Sequence, residues 1–163
     1  MYRQQRYDEC IKEVKSKLKQ SPNSLHLLNY QAMAYSALKR DKEALLSYQK
    51  IAKKDPSLAG PYYNMGIILK RSGRIEEAIS SYKKAISLKP DYVQAFNNLG
   101  VIAYRSRKFK EAIYWFQKVL KYEPRHVEAK LALEQITPAG LKFQVPELED
   151  GVNGLVHKIV RRL

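Results

Sequence analysis

The sequence predicts an all-α solenoid of antiparallel helix pairs, and three observations carry that prediction. Pro22, Pro56, Pro90 and Pro124 recur at a constant step of 34 residues. Aligned on them, the chain keeps four columns in phase: Leu28, Tyr62 and Phe96; Ala32, Gly66 and Gly100; Ala44, Ala78 and Ala112; and Tyr48, Tyr82 and Phe116. Seven glycines and seven prolines in 163 residues are too few for a loop-rich all-β chain. A fixed period of this length is the mark of a repeat architecture, in which one unit cannot bury its apolar face alone and stacking supplies the core.

The prolines delimit full units at 25–58, 59–92 and 93–126. Each reads as two helices. In the middle unit YYNMGIILKRSG (62–73) precedes IEEAISSYKKAISLKP (75–90), with Ser72-Gly73 as the punctuation between them. Proline ends each second helix because it lacks an amide donor and clashes with the preceding turn. The small residues at 32, 66 and 100 are expected to face the alanines at 44, 78 and 112. The aromatics at 48, 82 and 116 are expected to fill the space between successive pairs. Upstream, RYDECIKEV (6–14) aligns with RKFKEAIYW (107–115), placing Tyr7 under Phe109 and Cys10 under Ala112. Residues 1–24 thus read as a partial unit holding only a second helix. The first full unit departs from the others at Leu28, Gln31 and Asp41, the last standing where Ile75 and Phe109 occur.

Downstream, residues 127–136 read as a capping helix, because Lys130 and Glu134 replace the aromatic and the glycine. Residues 137–150, with two prolines, read as an extended connector. In 151–163, Val152, Leu155, Val156, Ile159, Val160 and Leu163 recur at helical spacing, with Asp150 placed to cap an amphipathic C-terminal helix.

The period, the openings Tyr62…Met65-Gly66 and Phe96…Leu99-Gly100, the mid-unit alanine, the later aromatic and the closing proline resemble tetratricopeptide repeats. The resemblance covers 25–126 in full. It implies a right-handed superhelix and a protein-interaction scaffold whose concave groove is lined by the first helix of each pair. Carried over by column, the groove residues are Asn29, Tyr30, Met33, Tyr63, Asn64, Ile67, Arg71, Asn97, Asn98, Val101 and Arg105. Asparagine is a poor mid-helix choice, and its side chain can bracket a peptide backbone through both carbonyl and amide. Tyrosine adds contact area at low entropic cost, and Arg71 and Arg105 suit acidic side chains. Repeats of this family that clamp the C-terminal carboxylate of heat-shock chaperones carry a lysine and an asparagine in the positions held here by Asn29 and Met33, an asparagine at that of Asn64, and a lysine and an arginine at those of Gln94 and Asn98. Of the clamp positions only Asn64 agrees, so a chaperone tail is disfavoured as the partner.

The chain carries 30 Lys+Arg against 16 Asp+Glu, a net charge of +14 that favours acidic partners. Lys50, Lys53, Lys54, Lys83, Lys84, Lys89, Lys118 and Lys121 fall on second helices and their ends, and Arg105, Arg107, Lys108 and Lys110 cluster at a turn. The rival function is therefore a basic adaptor for nucleic acid or an anionic membrane, although no nucleic-acid-reading motif accompanies the charge. The tail has three readings: a cover for the last repeat, a membrane-surface helix, or an insert into a neighbour's groove that drives self-association.

No catalytic constellation is legible. His26, His126 and His157 are isolated, no phosphate-binding glycine loop occurs, and the single cysteine, Cys10, reads as a buried core thiol. No enzyme activity, cofactor or metal is expected. The charged first twenty residues lack the apolar core of a signal peptide, no apolar stretch spans a bilayer, and a cytoplasmic location is expected.

Overall fold

The computed structural model describes residues 2–137, as eight α-helices with no strand among the described residues. They are α1 (Tyr2–Gln20), α2 (Leu25–Ala37), α3 (Asp41–Lys54), α4 (Ala59–Arg71), α5 (Ile75–Leu88), α6 (Val93–Arg105), α7 (Phe109–Tyr122) and α8 (Val127–Ile136). Apart from Thr137, the expected connector at 137–150 lies outside the described residues, as does the expected helix at 151–163.

The chain divides into two compact units, Met1–Ala95 and Phe96–Leu163. In the first, α1 packs on α2, α2 on α3, α3 on α4 and α4 on α5. In the second, α7 packs on α8, and α6 meets α7 where Phe96 stacks on Trp115 and Tyr122. The connecting turns are short, which forces neighbouring helices to run antiparallel.

Two kinds of turn alternate. Each second helix ends on an extended residue, Asp55, Lys89 or Glu123, immediately before Pro56, Pro90 or Pro124. Proline forbids the helical conformation to the residue before it, so the stop is built into the dipeptide. Each first helix ends instead on a left-handed residue: Lys39, Gly73 and Arg107, at φ 56°, 77° and 57°. The amides of Arg40, Arg74 and Lys108 then reach back to the carbonyls of Tyr35, Leu69 and Ala103, each at 2.9 Å. Those bonds close a Schellman motif and satisfy carbonyls the helix leaves unpaired. The sequence announces this turn only at Gly73, because lysine and arginine occupy the same position in the other two.

The core follows the columns, with one correction. Ala44, Ala78 and Ala112 are completely buried, and Tyr48, Tyr82 and Phe116 almost so. Gly66 and Gly100, however, face the aromatic column rather than the alanines. A Cβ on Gly66 would lie 2.6 Å from the Tyr82 ring, and one on Gly100 would lie 2.8 Å from Phe116. The rings therefore fill the space inside a helix pair, between its first and second helices. Glycine is required there because a ring, not a methyl, sits against the helix backbone.

Cys10 also departs from expectation. It is half-buried, whereas its column partner Ala112 is fully enclosed, because α1 is the first helix and packs chiefly on α2.

Candidate functional site

Helical periodicity places each set of predicted site residues on one stripe of a first helix. In the first unit, α2 carries Asn29, Tyr30 and Met33, and α4 carries Tyr63, Asn64, Ile67 and Arg71. In the second unit, α6 carries Asn97, Asn98, Val101 and Arg105.

These side chains are not equivalent. Tyr30 and Met33 are large apolar groups left 46% and 52% exposed. The Asn29 amide donates to the Met33 sulfur at 3.5 Å, and His26 meets Tyr30 edge-on with ring centroids 4.5 Å apart. The stripe on α2 is thus an open apolar surface held in shape by its own neighbours. Asn64 and Ile67 are half-buried on α4, and Asn64 makes no side-chain hydrogen bond among the described residues.

Tyr63 and Arg71, by contrast, are used internally. Tyr63 stacks on Tyr92 at 4.8 Å and tilts against Tyr82 at 5.8 Å. Burial, then the neighbouring Tyr63, pushes the Tyr82 phenol far above its ordinary range, and the same two causes raise Tyr92. Arg71 forms an ion pair with Asp41, and the Ser72 hydroxyl donates to the same carboxylate at 2.9 Å. Asp41 opens α3 and Arg71 closes α4, so this contact ties consecutive helix pairs together. The departure at Asp41 thereby gains a reason: where the next unit has Ile75, this one has a carboxylate for an arginine thirty residues on. That long-range pairing was the signal in the sequence that could have reassigned Arg71 from ligand contact to tether.

In the second unit, Arg105 is exposed and makes no ion pair among the described residues. The Asn97 side-chain carbonyl oxygen is buried without a hydrogen-bond partner, a costly arrangement. Asn98 and Val101 are half-buried beside it on the helix.

The histidine at the start of α8 has a structural task. His126 Nδ1 accepts from the Ala129 amide at 3.3 Å and so serves as N-cap. Glu128 Oε2 lies 3.3 Å from the same nitrogen, but a nitrogen that accepts from the amide has no proton for the carboxylate. Among the described residues no cluster of three His, Cys, Asp or Glu side chains could hold a metal ion. Nor is any described helix long and apolar enough to cross a membrane.

Comparison with known proteins agrees with this architecture. Two repeat profiles match, one described as TPR repeat over residues 68–107 and one as tetratricopeptide repeat over 93–126. Comparison with curated protein sequences returns no match. Among solved structures, MamA superposes with a TM-score of 0.73 at 24% identity, over 80% of this chain and 76% of that one. MamA from Desulfovibrio magneticus RS-1 gives 0.67 at 24% identity, over 74% and 68%. The first TPR of Spaghetti (RPAP3), bound to the HSP90 peptide SRMEEVD, gives 0.64 at 25% identity, over 69% of this chain and 89% of that one.

Proposed function

We propose that this chain, which is built of tetratricopeptide repeats, is a scaffold that binds an extended segment of a partner protein along the exposed stripe of its first helices. The observation that carries the reading is Tyr30 with Met33: two large apolar side chains stand more than two-fifths exposed on α2, where a helix inside a stacked array would be expected to present polar groups to water. Asn64, which has no side-chain partner among the described residues, supplies a backbone-directed polar contact. Arg105 supplies a cation for an acidic residue of the partner. Arg71 contributes less, since Asp41 already neutralises it.

A bound peptide in the Spaghetti repeat supports peptide recognition as a use of this fold, and its particular ligand does not transfer. Asn29, Gln94 and Asn98 stand where a chaperone carboxylate would need cations, and a buried carboxylate without a charge partner is strongly penalised.

The test begins with a displayed random-peptide library selected on the wild-type protein. Asn64→Ala combined with Asn98→Ala is expected to weaken the selected peptides at least about tenfold, the equivalent of about 1.4 kcal/mol, with the helical circular dichroism unchanged. Undiminished affinity in a folded double variant would remove the groove from consideration.

A further inference from the structure

A second candidate surface lies on the other side of α4, away from the stripe proposed above. Within the first unit, α3 and α5 leave a cleft of about 430 Å³ over α4. That is large enough for one bulky side chain or a small ligand. Its floor is apolar: Leu45, Tyr62, Met65 and Leu69. Its α5 wall is small and polar, made by Ser80 and Ser81, with Lys84 at one end and Arg74 with Glu77 at the other.

The repeat explains why the cleft is open. One step of 34 residues later, Tyr114 and Trp115 stand in the columns of Ser80 and Ser81, and Phe96 stands in the column of Tyr62. In the second unit the Trp115 indole stacks on Phe96 with centroids 6.0 Å apart, and its N–H donates to Glu111 at 3.4 Å. Glu111 in turn shares its column with Glu77. The chain therefore shows, in its own later repeat, what belongs over this ring: an indole with a carboxylate waiting for its N–H. In the first unit the ring and the carboxylate are present and the indole is missing; the Lys84 ammonium stands over the ring instead, and swings aside to admit an indole.

We infer that the α3–α5 cleft is a docking site for a tryptophan side chain of a partner protein, carried on an acidic segment. The indole stacks on Tyr62 and rests on Met65 and Leu69, which an aromatic group covers with large apolar contact area. Its N–H is taken by Glu77, which must leave the exposed two-point contact it now makes with the Arg74 guanidinium, whose two N–H groups donate to its two oxygens at 2.6 Å each. Acidic neighbours of the tryptophan are selected by Lys84, which sits 5.9 Å above the Tyr62 ring with no carboxylate partner among the described residues, and by Arg74 once Glu77 turns to the indole.

The probe is a short capped peptide with one tryptophan between glutamates, followed by amide and aromatic proton shifts of the folded protein. Saturable shifts are expected at Tyr62, Ser80, Ser81 and Lys84, at least about tenfold weaker in affinity for the counterpart with alanine in place of tryptophan. Ser81→Trp supplies the indole in cis and is expected to abolish the shifts without lowering the melting temperature. Lys84→Glu, an exposed substitution that tests the charge independently of how Ser81→Trp folds, is expected to weaken the acidic peptide about tenfold and to improve a lysine-flanked version. Shifts confined to α2 and α6, equal binding of the alanine peptide, or undiminished binding by both variants would overturn the assignment.

Discussion

The α4–α5 pair of the first unit and the α6–α7 pair of the second are two solutions to one packing problem. Both press a glycine against a fully buried ring, Gly66 on Tyr82 and Gly100 on Phe116, and both end their first helix with the same left-handed turn. They part at the edges. The second pair covers its Phe96 with Trp115, and the first leaves Tyr62 in an open cleft that it shares with two serines, with the Lys84 ammonium over its ring. Gly66 and Gly100, which set the distance between the helices of these two pairs, leave no room for a larger side chain, because a ring sits against the backbone. Positions at the rim carry no such restriction, and there the two repeats have diverged into a closed surface and an open one.

The harshest way to break the shared part of that comparison is to add volume at the glycines. Gly66→Leu and Gly100→Leu are each expected to cost about 3 kcal/mol or more in denaturant unfolding, since neither buried ring can step aside. If either variant melts normally, the helices of that pair do not approach as described. The turns offer a smaller test in the opposite direction. Lys39→Gly and Arg107→Gly place the permissive residue at φ near 57°, and each is expected to stabilise by up to about 1 kcal/mol. Gly73→Lys should lose a similar amount, and a reversed order of signs would refute the left-handed assignment.

The smallest and most local test makes the first pair resemble the second. Tyr82 is wholly enclosed and its hydroxyl has no hydrogen-bond partner, whereas Phe116 carries no hydroxyl to satisfy. Tyr82→Phe is expected to be neutral or to stabilise by about 1 kcal/mol at pH 7. Alkali sharpens the contrast. The unfolded chain releases the Tyr82 proton near the ordinary 10.0, while burial makes the folded chain hold it well above that. The unfolded state thus binds fewer protons above pH 10, and stability drains as pH rises from there. Tyr48, pushed up to about 12 by burial, adds to the same loss. Unfolding curves of Tyr82→Phe between pH 9 and 11 should fall less steeply than those of the wild type; parallel curves would mean that the phenol is not buried as a proton-holding group.

Much of the fold was legible because its causes are periodic. Prolines fix the ends of second helices through a backbone clash, and a column of alanine or glycine announces close approach regardless of what approaches. What approaches was not legible: sequence paired the glycines with alanines, and only the folded structure shows the rings of Tyr82 and Phe116 in that place. The turns at Lys39 and Arg107 were hidden because neither residue advertises a positive φ. At the candidate site, column position placed every predicted residue on a first-helix stripe, but it carried no information about competition. Arg71 is claimed by Asp41, and Tyr63 by Tyr82 and Tyr92. Both losses come from partners about twenty to thirty residues away, beyond the reach of any local pattern. Ser80 and Ser81 passed unremarked because small polar residues on a second helix look like ordinary solvent-facing positions until their column mates Tyr114 and Trp115 are set beside them.

The most direct test of recognition by the first helices is a residue-by-residue shift map of the wild-type protein saturated with a library-selected peptide. Perturbations centred on Asn29, Tyr30, Met33, Asn64 and Asn97 are the predicted result. A map confined to α3, α5 and α7, with the α2 stripe untouched, would contradict it.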